Sequence, residues 1–126
     1  MTGGDERLLR LADLPYEQFD GLPLGAIVVE GDGTIVAYND YESRMAHRAR
    51  EQVIGRNFFH DVAPCTAVQE FEGRFHTFFA GRDKERISES FAYLFPFPHG
   101  TVHVEITFVR LATEKRVLIA VERVVR

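Results

Sequence analysis

The sequence predicts an α+β fold, and three observations carry that prediction. Two short apolar runs rich in β-branched residues lie near the start of the chain, and three runs in which apolar residues alternate lie near its end, as strands do. Between them lies a block in which alternation disappears and charged residues and helically spaced phenylalanines take over. Two strands, a set of helices and three more strands make a sheet with its helices inserted midway. At 126 residues, 45% of them hydrophobic and 27% charged, the chain has the length and apolar content for one domain with one core.

Arg7-Leu8-Leu9-Arg10-Leu11-Ala12-Asp13-Leu14 spaces its leucines at helical intervals until Pro15 stops the run. This predicts a short amphipathic cap over residues 1–20, ahead of a main domain over 21–126. Leu24 to Glu30 is apolar and rich in β-branched residues, and Asp32-Gly33 predicts a tight hairpin turn into Thr34-Ile35-Val36-Ala37-Tyr38. From Asn39 to Val53 short helical turns are expected, with Gly55 as terminator. Glu70 to Phe79 sets Phe71, Phe75, Phe78 and Phe79 on one helical face, so this longer helix should lie on the sheet. Three strands follow, with Ile87, Glu89, Phe91, Tyr93 and Phe95 alternating in the first, Val102, Val104, Ile106 and Phe108 in the second, and Val117, Ile119 and Val121 in the third. Pro96-Phe97-Pro98-His99-Gly100 is expected to turn the first of these into the second.

Composition excludes several function classes. A net charge of −4, with no stretch of Lys and Arg interleaved with aromatics, argues against a nucleic-acid surface. No apolar run approaches the roughly 18 residues that span a bilayer, and Met1-Thr2-Gly3-Gly4-Asp5-Glu6 lacks the pattern of a signal peptide, so a cytoplasmic chain is expected. Cys65 is the one cysteine, which leaves no internal disulfide and no zinc or redox pair. Such a thiol is either a small buried hydrophobe or a reactive handle. His47, His60, His76, His99 and His103 are too scattered in sequence to suggest a metal site, and none pairs locally with Cys65 as a catalytic base would. No Cys-His-Asn order or oxyanion-loop motif is visible, so an enzyme is not expected.

One set of motifs is more specific. Asp20-Gly21-Leu22-Pro23-Leu24-Gly25-Ala26-Ile27, Gly31-Asp32-Gly33, Tyr38-Asn39, Val53-Ile54-Gly55-Arg56-Asn57-Phe58-Phe59 and Asp61-Val62-Ala63-Pro64-Cys65-Thr66 resemble the photoactive yellow protein family of blue-light receptors. The similarity runs almost without gaps from Asp20 to Gly73 and more loosely to Val124, and Val-Ala-Pro-Cys-Thr is its specific part. It implies a PAS fold, with a central antiparallel five-stranded sheet, short helices after the second strand, one longer connecting helix and an N-terminal helical cap. It also implies p-coumaric acid (4-hydroxycinnamic acid) held as a thioester on Cys65 and isomerised by light from trans to cis.

The same resemblance implies roles for further residues. Tyr38 and Glu42 match the pair that donates hydrogen bonds to the chromophore's phenolate, which requires Glu42 to be protonated, as burial favours. On isomerisation Glu42 would give up its proton, become a buried anion and drive local unfolding, with the cap as the piece that loosens. Arg48 matches the arginine that covers the phenol side. Phe58, Val62, Ala63, Pro64, Thr66 and Phe97 match pocket positions, and Phe91 and Phe95 are expected to form the far wall.

The chain also departs from the family. Ala46 stands where a threonine bonds the tyrosine hydroxyl, Gly81-Arg82-Asp83-Lys84-Glu85-Arg86 is longer and more charged than expected, and the turn at Pro98-His99-Gly100 is shorter. His99 is the nearest match to a methionine that assists thermal return, so slow dark recovery is expected. With little sequence after the last strand, signalling is expected by contact with an unidentified downstream protein, from a monomer or weak dimer that is either a stand-alone receptor or a sensor piece of a larger one. The alternative is a PAS module that binds no coumarate and serves dimerisation or small-ligand sensing, with Cys65 as an inherited core residue.

Overall fold

The computed structural model describes residues 3–81, 87–111 and 115–124. The charged stretch Arg82-Asp83-Lys84-Glu85-Arg86 lies outside the described residues. Five strands, β1 (Gly25–Glu30), β2 (Ile35–Tyr38), β3 (Ser88–Phe97), β4 (Gly100–Leu111) and β5 (Arg116–Arg123), pair antiparallel in the order β2-β1-β5-β4-β3. The first strand therefore lies beside the last, with Gly25 opposite Val121 and Glu30 opposite Arg116. Helices α1 (Gly3–Leu9), α2 (Asp40–Ala46), α3 (Arg50–Val53) and α4 (Arg74–Ala80) are joined by tighter or wider single turns.

Both faces of the sheet centre are covered, which explains why β1 reads as a near-continuous apolar run and why β5, expected to alternate, is instead buried without interruption from Val117 to Val121. Ile27 and Val29 of β1 face one core with Phe58, Phe59, Phe71 and Phe75. Ala26 and Val28 face the other, where Leu8, Leu11 and Phe19 pack against Val109, Leu118 and Ala120. The N-terminal cap thus closes the sheet face opposite to the inserted helices. It extends as 3-10 turns over Arg10–Asp13 and Tyr16–Gly21, with Pro15 as the cap residue of the second rather than a terminus.

Several local expectations are revised. The hairpin turn is longer than Asp-Gly: Gly33 donates to Glu30 O, Glu30 donates back to Thr34 O, and Gly33 takes φ +93°, a conformation glycine adopts without strain. The expected helix from Glu70 begins as a π-helical turn at Gln69–Gly73 before α4. Phe71, Phe75 and Phe78 reach Phe108 on the sheet, while half-buried Phe79 stacks on Phe75. Strand β3 continues through Pro96 to Phe97, leaving only Pro98-His99 in the turn. Because β3 is an edge strand, the donor that Pro96 lacks is not needed by a second neighbour. Ile87, expected on the inward face, precedes β3 and is exposed.

Candidate functional site

The cavity of interest, about 300 Å³, opens between the end of β2, helix α2, the segment around Cys65 and the edge strand β3. Its size is at the small end of the range for small-molecule sites. Asn39 sets the geometry of the first wall. Its side-chain oxygen accepts from the Glu42 backbone N–H at 3.1 Å and the Ala26 N–H at 2.9 Å, and its amide donates to Phe19 O and Leu24 O, each at 2.9 Å. This cap starts α2 in a fixed position relative to β1 and to the end of the N-terminal segment. Helix α2 then carries Glu42 and Ala46 to the cavity, and Arg48 follows just past its end.

Glu42 is only 2% exposed, and its Oε1 is buried with no hydrogen-bond partner among the described residues. Desolvation raises its pKa to about 8, so the carboxyl is protonated at neutral pH and able to donate. Tyr38, at the end of β2, is equally buried. Desolvation first, then the nearby Glu42, push its phenol well above the usual range, while the Arg48 charge pulls it down. Tyr38 therefore also remains a donor. The orphaned Glu42 oxygen is unusual, since buried polar atoms are nearly always paired. An acceptor atom placed in this cavity would lie beside the protonated Glu42 carboxyl.

The opposing chain segment is built by backbone chemistry. Asn57 Oδ1 accepts from Phe59 and His60 N–H and starts a π-helical turn over Phe58–Val62. Pro64, whose fixed φ suits a first helical position, then starts the 3-10 turn Pro64–Thr66. The Thr66 hydroxyl donates to Ala63 O at 2.6 Å, and the Tyr93 hydroxyl reaches across from β3 to donate to Cys65 O at 2.7 Å. Cys65 is thereby held on the cavity wall with its thiol half-buried, and burial raises the thiol pKa. It is a weak nucleophile at neutral pH.

Of the predicted site residues, the structure brings Tyr38, Glu42, Ala46, Arg48 and Cys65 onto one cavity. Phe58, Val62, Ala63, Pro64, Phe95 and Phe97 complete most of its walls. Three predicted residues stand outside the lining. The Thr66 hydroxyl is spent on Ala63 O, and the Phe91 ring is taken up by Phe71 and Phe108, each at a centroid distance of 5.4 Å. His99 extends the stack of Phe95 and Phe97 outward and meets His47, at centroid distances of 5.6 Å and 6.1 Å. Sequence reasoning missed Pro96 and Pro98 as lining residues because both were assigned to the turn. It missed the roles of Asn39 and Tyr93 because their partners are distant in sequence; Asn39 immediately before an acidic first turn was the one available signal. His60 and His76, scattered in sequence, both contact Glu72, yet among the described residues no group of three or more His, Cys, Asp or Glu is arranged to hold a metal ion.

Sheet order, inserted helices and a cavity between α2 and the edge strand define a PAS sensor domain, and residues 19–125 match the PAS fold family. The chain belongs to the photoactive yellow protein family. It is 38% identical over 122 residues to the photoactive yellow protein of Rhodothalassium salexigens, covering 97% of this chain and 95% of that protein. Identity to the photoactive yellow protein of Halochromatium salexigens is 32% over 121 residues, covering 96% and 94%. Among solved structures, the photoactive yellow protein domain of the sensor histidine kinase Ppr from Rhodospirillum centenum superposes with a TM-score of 0.78 at 39% identity, over 90% of this chain and 98% of that one. Among the described residues no helix is long and apolar enough to cross a membrane.

Proposed function

We propose that the protein is a blue-light photoreceptor that carries p-coumaric acid as a thioester on Cys65. The observation that carries this reading is the presence, on one cavity, of a thiol, a buried tyrosine hydroxyl and a protonated carboxyl with an unpartnered oxygen. When bound, the coumaroyl group supplies visible absorption and a double bond that light isomerises. Acylation forms a bond between Cys65 Sγ and the acyl carbon of an activated donor; the leaving group departs with its electron pair, and the thiol proton passes to solvent. Tyr38 and Glu42 supply donors to an acceptor oxygen, and the Arg48 charge lowers the cost of placing an anion there.

Transfer of the Glu42 proton into the cavity would leave a buried carboxylate with no compensating donor, which costs several kcal/mol. Asn39 ties the Glu42 backbone to Phe19, Leu24 and Ala26, so a shift of α2 bears directly on the segment joining the cap to β1. The cap, held by Leu8, Leu11 and Phe19 and by the Arg7–Glu122 ion pair, is the element that loosens. The signal is read by contact with a downstream protein in the cytoplasm, from a monomer or weak dimer.

The test is reconstitution of purified protein with p-coumaric anhydride beside a Cys65→Ala control, followed by intact mass and visible spectra before and after a blue flash. A Cys65-dependent band that bleaches and returns is expected. Folded wild-type protein that fails to acylate would instead leave a light-insensitive PAS module.

A further inference from the structure

We infer that Gly25 is a positioning residue for Glu42, its missing side chain creating the seat in which the carboxyl lies; the visible-light arm of the test rests on the photoreceptor reading above. In β1 the side chains of Ile27 and Val29 point into the core shared with Tyr38, Phe58, Phe95 and Phe97, and Gly25 occupies the same face one alternation earlier. A Cβ at Gly25 would stand 2.1 Å from Glu42 Oε1, 3.2 Å from its Cδ and 3.2 Å from Val121 Cβ. The carboxyl thus fills the place where a strand side chain would be.

Backbone conformation gives no reason for glycine here. Gly25 is not among the residues with positive φ, and it pairs regularly with Val121 in the sheet. Glycine in a strand packs no side chain of its own and often marks a close approach by another group. That group is the Glu42 carboxyl. The backbone of α2 is fixed through the bond from Glu42 N–H to Asn39, so a new Cβ would be accommodated by rotation of the Glu42 side chain. Oε1 has no partner to lose in moving. The carboxyl would swing off β1 and leave the place from which it donates into the cavity.

The test is Gly25→Ala, with Glu42→Gln, Glu42→Ala and the double variant Gly25→Ala/Glu42→Ala as references. In chromophore-free protein, infrared spectroscopy reads the protonated carboxyl band, assigned by its loss in Glu42→Gln. Gly25→Ala is expected to displace that band and to lower the pH at which it disappears by one unit or more. In protein reconstituted with p-coumaric anhydride, it is expected to move the visible band to longer wavelength and to raise the phenol's titration midpoint. Both changes follow from loss of a donor to the phenolate ground state. In the Glu42→Ala background the Gly25 change should add nothing to either readout, because the clash has been removed. An infrared band and titration identical to wild type would overturn the inference, as would an equal visible shift in the Glu42→Ala background. Should Gly25→Ala fail to fold, folding of the double variant supports the inference, and unfolding of both overturns it. Failure of wild type to form a Cys65-linked pigment would refute the photoreceptor reading alone, since the infrared readout needs no pigment.

Discussion

Glu42 makes the stability of the chromophore-free protein depend on pH in an unusual direction. Its pKa is about 8 in the folded protein against 4.5 for an unburied carboxyl. Between these values the folded state holds a proton that the unfolded state has released, so stability falls as pH rises. Below about pH 4.5 this contribution is fully present, and above about pH 8 the loss is complete. One group gives a slope of about 1.4 kcal/mol per pH unit, which amounts to a loss of about 3 kcal/mol by pH 7 and about 5 kcal/mol by pH 8. Against a domain stability of roughly 5–15 kcal/mol that is a large fraction. Glu42→Gln removes the titration while keeping the shape. Urea unfolding followed by circular dichroism should show the wild-type midpoint falling by about 1–3 M relative to Glu42→Gln between pH 5 and pH 7, for a urea slope of about 1–3 kcal/mol/M. Taking the difference cancels groups that shift the other way, such as Asp32 and Glu72, whose pKa values are lowered. Parallel midpoints from pH 5 to pH 8 would refute the reasoning.

Four further outcomes are expected. Because burial raises the Cys65 thiol, its acylation by coumaric anhydride should keep accelerating above about pH 8.5, where an ordinary thiol levels off; stopped-flow rates at a series of pH values check this. Asn39→Ala removes four buried hydrogen bonds and should cost at least about 3 kcal/mol, measured by denaturant unfolding, with faster proteolysis of the segment before β1. Tyr93→Phe frees the Cys65 carbonyl, should cost about 1 kcal/mol, and should speed labelling of the thiol by a disulfide reagent. With His99 outside the cavity lining and no methionine in the β3–β4 turn, dark recovery of the reconstituted pigment after a flash should be slow, and a half-time well under a second would contradict this.

The element pattern was readable because it rests on local periodicity. Alternation in β3 and β4, the existence of the β1–β2 hairpin and the phenylalanine spacing of α4 each depend on residues close in the chain. Asp61-Val62-Ala63-Pro64-Cys65-Thr66 was legible through its family resemblance, because the motif is contiguous, and its turns start locally, with Asn57 capping one and Pro64 opening the other. Tertiary structure decided the rest. That β1 and β5 are buried on both faces depends on where the cap and the inserted helices come to rest. A carboxylate four residues after Tyr38 is, in sequence, an ordinary helix-turn glutamate; it becomes a neutral donor only because the fold buries it against Gly25 of β1. Tyr93 acquires its role only because β3 runs beside Cys65. Periodicity is written along one chain segment, whereas burial, and the proton affinity that follows from it, is the sum of neighbours that distant segments bring together.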